Sequence, residues 1–141
     1  MADQMRELGL APDIVLVSSA RRTLQTLEAA QPMEGLPIVE VMDDLYLAPW
    51  QRLMETLRGM PETARSVLII GHNPGLHDLG LALMGPTGAA MGGHHARRLA
   101  EGYPTGALAE FTMAGAWRQL QDGSGRLVRF LTPRDWPEVA A

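Results

Sequence analysis

An apolar run, Val67-Leu68-Ile69-Ile70, ends in Gly71 and is followed at once by His72. The β-branched residues favour a buried strand, and the glycine marks where that strand ends. Asn73 and Pro74 are suited to be the cap and the first residue of a helix. The sequence therefore predicts a strand that delivers His72 to its carboxyl end, beside a helix N-terminus. Ligands of open α/β sheets bind at that edge, and a helix N-terminus favours anions.

A second site of the same geometry is predicted upstream. Residues 12–17 form another buried apolar run, and Ser18-Ser19 follows as a capping pair for a helix that starts at Ala20. Arg22 would then lie in the first turn of this helix, at the carboxyl end of the preceding strand. The planar fork of N–H donors on arginine matches the oxygens of a phosphate group. Arg22 and His72 together predict a phosphate site more strongly than either residue alone.

The remaining pattern alternates between strand and helix signals, which predicts an α/β domain built in layers. Glycine and proline bound most of the segments, and residues 87–93 are small and glycine-rich, which indicates a loop. We find no repeat and no linker, so one domain over residues 1–141 is expected. The predicted helices cover residues 1–8, 20–30, 49–59 and 74–84, and the predicted strands cover residues 14–17, 38–41, 67–70, 107–112 and 126–131.

Composition excludes several classes of function. The net charge is -4, and Arg21-Arg22 and Arg97-Arg98 are pairs rather than basic patches, which argues against nucleic acid as the main partner. The chain has no cysteine, so disulfides and thiolate chemistry do not apply. No apolar stretch approaches the length of a membrane span, and the N-terminus has no signal-peptide pattern. A cytoplasmic location is the default expectation.

Specific motifs then point to a family. Residues 15–26 resemble the SS-x-x-R-x-x-Q-T block of the histidine phosphatase (phosphoglycerate-mutase-like) superfamily, and Gly71-His72-Asn73-Pro74 resembles its second histidine motif. Residues 103–109 and 132–135 resemble the compact SixA-type phosphohistidine phosphatases. The likeness covers essentially the whole chain, with the motifs in the same order.

The resemblance implies a three-layer α/β/α fold around a mixed, mostly parallel sheet. It implies a metal-independent hydrolase without a cofactor, acting through a phosphohistidine intermediate on a phosphorylated protein or a small phosphomonoester. Nucleic acid and membranes are not expected partners. The residues that it implies for the site are Arg22 and His72 as catalytic groups, with Ser19, Asn73 and Thr105 also contacting the substrate.

One departure from the family pattern is large. Members of this family begin with a strand that ends in Arg-His, and that histidine accepts the phosphoryl group. The four histidines of this chain are His72, His77, His94 and His95, and none follows an arginine. We therefore expect an N-terminally truncated domain that has five of six family strands, lacks the nucleophile and has a gap beside the strand of residues 67–70.

Alternative interpretations remain open at this point. A non-catalytic phosphate-binding or interaction module is favoured by the missing Arg-His motif. A doubly wound nucleotide-binding domain would need a glycine-rich phosphate loop, which the sequence lacks. Asp43 and Asp44 lie near the place where related enzymes have a general acid, although a solvated turn explains them better. A metal site on His77, His94 and His95 fits no established zinc spacing.

Overall fold

The computed structural model describes residues 2–135, and the chain divides into two compact units. The first unit comprises the chain up to Ala48 together with Met60–His72. The second comprises Pro49–Gly59 and the chain from Asn73 onward. The expectation of a single domain over residues 1–141 stays a prediction.

Most elements begin and end within two residues of their predicted bounds. Short 3₁₀ turns occur at Asp43–Leu45 and Trp117–Gln119. None of the described helices has both the length and the apolar character needed to cross a membrane. The helices are α1 (Ala2–Glu7), α2 (Arg21–Ala30), α3 (Trp50–Arg58), α4 (Gly75–Met91) and α5 (Gly93–Glu101), and the strands are β1 (Ile14–Ser18), β2 (Ile38–Met42), β3 (Val67–Ile70), β4 (Leu108–Met113) and β5 (Gly125–Leu131).

The first unit is built on a parallel sheet with the strand order β2-β1-β3. Every residue of the central strand β1 is buried, as expected for a strand with partners on both edges and helices on its faces. Val17 is paired with Val41 on one side and with Ile70 on the other, so all three strands end at the same edge. The predicted parallel arrangement of these strands is confirmed.

Asp13 fixes the amino ends of β1 and β3 relative to each other. Its carboxylate oxygen Oδ2 accepts hydrogen bonds from the backbone N–H groups of Arg65, at 2.7 Å, and Ser66, at 3.3 Å. The backbone N–H of Asp13 donates to the carbonyl oxygen of Ser66 at 2.9 Å. These bonds set the register of the strand pair at one end, which determines which residues meet at the other.

The second unit packs its helices on an antiparallel pair of strands. β4 pairs with β5, and α4 and α5 both pack against β5. The centre of this core is Phe130, which is 1% exposed and belongs to a cluster with Met84, Ala96 and Leu99. Apolar burial of this kind supplies the main stabilisation of such a unit.

The segment after residue 85 corrects the sequence interpretation. Residues 87–93 were expected to form a loop, but residues up to Met91 are helical and α5 follows directly. The helical path breaks at Gly85, whose φ of 66° is accessible to glycine at little cost. A Cβ atom at Gly85 would lie 2.9 Å from the Cα of Gly123, so this close approach also requires glycine. Pro86 then fits the first turn of the new helical segment.

The five described strands form two sheets rather than one continuous sheet. Within residues 2–135, the outer edge of β3 is paired with no other strand. The α/β class is confirmed, whereas the gap predicted beside the strand of residues 67–70 stays a prediction, because any edge strand of an open sheet has one unpaired edge.

An ion pair holds the last described turn of the second unit. Arg98 Nη2 donates to Asp135 Oδ2 at 2.7 Å, and the guanidinium lies 5.7 Å from the centre of the Phe130 ring. The same carboxylate oxygen accepts from the backbone N–H and the hydroxyl of Thr132. The hydrogen bond from Arg98, followed by those from Thr132, lowers the pKa of Asp135 to about 2. Asp135 therefore stays ionised, and the pair stays intact, throughout the neutral range.

Candidate functional site

The strand order of the first unit creates a switch point between β1 and β3. The chain leaves β1 through α2 and returns to the sheet as β2 on one side, whereas β3 lies on the other side of β1. Crevices that bind ligands form at such points, at the carboxyl ends of the strands. Ser18 ends β1 and Gly71-His72 follows β3, so both segments lie at this edge.

His72 is held by a buried serine of the neighbouring strand. Its ring nitrogen Nε2 lies 2.8 Å from the hydroxyl oxygen Oγ of Ser18, which is fully buried. The ring of Tyr46 meets the imidazole edge-on, with 5.4 Å between the ring centres. His72 as a residue is half-buried. These two contacts give the imidazole a defined orientation.

The same serine connects His72 to the start of α2. The backbone N–H of Ala20 donates to Ser18 Oγ at 3.3 Å. Thr23 Oγ1 lies within hydrogen-bond distance of the carbonyl oxygens of Ser18, at 2.7 Å, and Ala20, at 2.8 Å. These contacts fix the turn between β1 and α2, so the position of His72 relative to the helix start is set by short bonds.

Arg22 is the second residue of α2, and its side chain is exposed. The helix has no side-chain cap at Ala20 and no acidic residue in its first turn. The unpaired N–H groups and the positive end of the helix dipole therefore add to the charges of Arg21 and Arg22. This end of α2 is electropositive and suited to an anion.

The expected capping roles need correction. Ser18 is the last residue of β1, and α2 starts at Arg21 without a serine cap. Asn73 does not cap α4, because its side-chain amide Nδ2 donates to the carbonyl oxygen of Tyr103 at 2.6 Å. α4 begins at Gly75, one residue later than the predicted start at Pro74.

The other predicted substrate contacts differ in accessibility. Ser19 is half-buried directly after β1, and Thr105 is exposed in the turn before β4. Asn73 is exposed and follows His72 in the chain. The roles of Ser19, Asn73 and Thr105 stay predictions.

The other polar residues that the sequence offered for a site are either exposed in a turn or bonded to the backbone. Asp43 and Asp44 are exposed on a 3₁₀ turn, as the interpretation as a solvated turn predicted. His77 Nε2 lies 2.6 Å from the carbonyl oxygen of Leu99, and His95 Nδ1 accepts the backbone N–H of Phe130 at 3.0 Å. Within residues 2–135, no three histidine or acidic side chains are grouped so that they could hold a metal ion.

Sequence analysis missed two residues that contact His72. Ser18 was interpreted as a helix cap, although a hydroxyl at the end of a fully apolar strand was a signal that it has a partner. Tyr46 lies in a short turn where no periodicity marks its orientation. Both contacts join residues that are distant in sequence, as the pairs Ser18–His72 and Tyr46–His72 show.

Comparison with known proteins places the chain in a family, although no protein family model matches it. An uncharacterised protein of Mycobacterium leprae (strain TN) is 30% identical, with the match covering 85% of this chain and 71% of that protein. An uncharacterised protein of Mycobacterium tuberculosis (strain ATCC 25618 / H37Rv) is 31% identical, over 92% of this chain and 85% of its own length.

Solved structures with the same fold carry the name SixA. A protein from Nakamurella multipartitia that has been assigned as a phosphohistidine phosphatase SixA superimposes with a TM-score of 0.80 and 26% identity, over 94% of this chain and 77% of that one. SixA from Agrobacterium tumefaciens gives 0.73 and 27%, over 94% and 75%. A protein histidine phosphatase SixA in complex with tungstate shares the fold, with a TM-score of 0.71 at 24% identity, over 96% and 78%.

The parallel sheet, with a histidine at its carboxyl edge, defines a protein of the α/β class. The relatives and the solved structures identify the family within this class. The chain belongs to the histidine phosphatase superfamily, among the compact SixA-like proteins.

Proposed function

We propose that this protein binds a phosphoryl group at the carboxyl ends of β1 and β3, with Arg22 and His72 as its cationic and hydrogen-bonding partners. The ligand would be a phosphohistidine on a protein or a small phosphomonoester. The observation that supports this most is the 2.8 Å contact between His72 and Ser18, which holds the imidazole beside the start of α2, where Arg22 lies.

The proposed site suits the charge of phosphoryl transfer. In the transition state, negative charge is spread over the three equatorial oxygens of the phosphoryl group, and preorganised donors stabilise it. Arg22 would supply a bidentate fork, and His72 would supply a donor of fixed orientation. These cationic and N–H groups provide charge of the kind that a metal ion provides in other phosphoryl-transfer enzymes.

Hydrolysis in the resembling family uses a histidine that follows an arginine. A ring nitrogen attacks phosphorus, the P–N or P–O bond of the substrate breaks, and the leaving group takes a proton. Water then attacks phosphorus, the new N–P bond breaks, and phosphate and free histidine result. No histidine among these 141 residues follows an arginine. For these 141 residues we therefore expect phosphate binding without turnover, and hydrolysis would need a protein that also carries the Arg-His pair.

A second candidate is a non-catalytic phosphate-binding or interaction module. The absence of an Arg-His pair from these 141 residues favours it. The two candidates share the anion site, and they differ in whether this site ever carries out hydrolysis.

The test measures binding and turnover on the same 141-residue protein. We expect phosphate or vanadate to bind weakly, with a Kd on the order of millimolar, because only part of a pocket is present. We expect no turnover of a phosphohistidine peptide or of a small phosphomonoester. Calorimetry gives the first quantity, and release of inorganic phosphate gives the second.

Variants of two histidines decide between the outcomes. His72→Gln should abolish anion binding, whereas His94→Gln, at an exposed position of α5, should leave it unchanged. Turnover that disappears in His72→Gln would contradict the proposal, since one of the histidines present would then act as the nucleophile. Failure of any anion to bind would contradict it as well.

A further inference from the structure

The contact between Ser18 and His72 determines which imidazole nitrogen is available to a ligand. Nε2 of His72 is 2.8 Å from Ser18 Oγ, within the range of a good hydrogen bond. The other ring nitrogen, Nδ1, has no hydrogen-bond partner within residues 2–135. Nδ1 is therefore the ring nitrogen left for a ligand that binds His72.

The direction of the bond follows from the surroundings of the hydroxyl. Ser18 is 0% exposed, and its Oγ already accepts the backbone N–H of Ala20. A hydroxyl has one hydrogen to donate, and leaving it without an acceptor in a buried site is costly. In the described residues, His72 Nε2 is the acceptor within reach of that hydrogen. Ser18 is thus the donor, and Nε2 carries no proton.

We propose that Ser18 is a positioning residue, which keeps His72 as the Nδ1–H tautomer and so presents an N–H donor to the bound anion. The proposal rests on the proposed phosphate site. A neutral imidazole has one N–H, and which nitrogen carries it is set by the hydrogen bond of the other. With Nε2 accepting from Ser18, the proton is on Nδ1, so His72 can donate to an anion without first becoming charged.

Other groups around the ring do not compete for this role. Tyr46 approaches the imidazole edge-on, and the 3₁₀ turn before it carries Asp43 and Asp44, which are both exposed. α2, which starts beside Ser18, contributes Arg21 and Arg22, whose guanidinium groups only donate hydrogen bonds and so cannot accept one from the imidazole. The tautomer is therefore set by Ser18.

The first test measures the tautomer directly in the ligand-free protein. Long-range ¹H–¹⁵N spectra distinguish a protonated ring nitrogen from a bare one, and His72→Gln identifies the signals of His72. At about pH 8.5, where histidine is ordinarily neutral, we expect a protonated Nδ1 and a bare Nε2. In Ser18→Ala, we expect a mixture of both tautomers. A bare Nδ1 in the unmodified protein would overturn the proposal.

The second test measures sulfate affinity, because sulfate keeps its charge across the neutral range. At about pH 8.5, Ser18→Ala should bind sulfate a few-fold more weakly, because only part of the His72 population would then be the tautomer that donates from Nδ1. Equal affinities of the two proteins would overturn the proposal.

Control variants separate positioning from general damage. Ser18→Cys keeps nearly the same volume at the buried position but is a weak donor, and it should behave like Ser18→Ala. Thr56→Ala removes a hydroxyl that lies 2.8 Å from the carbonyl oxygen of Arg52 on α3, and it should change neither the tautomer nor the affinity. If sulfate fails to bind but Nδ1 is protonated, the tautomer assignment is supported and the proposed phosphate site fails.

Discussion

Arg22→Ala is expected to weaken phosphate or sulfate binding by about 10- to 100-fold, as hydrogen bonds to charged groups are worth about 1.5–3 kcal/mol. The physical reason is the loss of a planar fork of donors at an electropositive helix start. The folded state should not suffer, because Arg22 is exposed and its positive charge lies at the unfavourable end of the α2 dipole. Titration calorimetry and thermal unfolding of the same sample measure both effects.

The neighbouring arginine provides a matched control. Arg21 is also exposed and is the first residue of α2, so Arg21→Ala removes the same charge one residue away. We expect it to lower affinity only slightly, through the general field. Arg22→Lys should recover part of the binding, because lysine keeps the charge but not the fork. Equal losses of affinity in Arg21→Ala and Arg22→Ala would show that the anion is held by the positive electrostatic field alone. They would contradict a specific contact with the Arg22 guanidinium.

Phe130→Ala is expected to destabilise the protein by about 3–5 kcal/mol, the usual cost of truncating a fully buried aromatic side chain. The ring is 1% exposed, and its centre lies 5.6 Å from the centre of the Tyr103 ring. Its loss leaves a cavity beside Met84 and Leu99 and removes the surface beneath the Arg98 guanidinium. Because domains are stable by only about 5–15 kcal/mol, this is a large part of the total.

Denaturant unfolding measures the loss in free energy of unfolding, and a second apolar residue of β5 provides the control. Val128 is 38% exposed on the same strand, and Val128→Ala should cost less than about 1 kcal/mol. If Phe130→Ala lowered the free energy of unfolding no more than Val128→Ala, Phe130 would not be the centre of this core.

The sequence was most informative where one local pattern decided the structure. The apolar runs predicted β1 and β3, and β3 covers residues 67–70 as expected. Gly9 ends the first helical segment with a φ of 72°, a conformation that glycine adopts easily. The helix with Arg22 in its first turn ends at Ala30, as predicted.

Small residues misled the prediction after residue 85. Glycine lowers helix propensity, so a stretch rich in glycine favours a loop by composition. Burial supports α5, whose Ala96 and Leu99 are almost completely buried in the core around Phe130. Such packing involves partners far along the chain, which a local pattern does not contain. Burial does not account for the helical residues before α5, because these are mostly exposed and Met91 is 82% exposed.

In the candidate site too, the sequence predicted the local features but not the contacts between distant residues. Residue types and motifs identified Arg22 and His72, because their chemistry and their places at strand ends are local properties. The hydrogen bond that positions His72 beside the start of α2 was not predictable in this way. Ser18 and His72 are 54 positions apart, and their contact depends on the parallel register of β1 and β3.

A crystal structure of this protein with tungstate, a phosphate mimic, tests the central claim most directly. The account predicts one tungstate ion at the carboxyl ends of β1 and β3, with oxygens about 3 Å from the Arg22 guanidinium and from His72 Nδ1. His72 Nε2 should remain bonded to Ser18. Tungstate bound elsewhere, or Arg22 and His72 facing different edges of the sheet, would contradict the account.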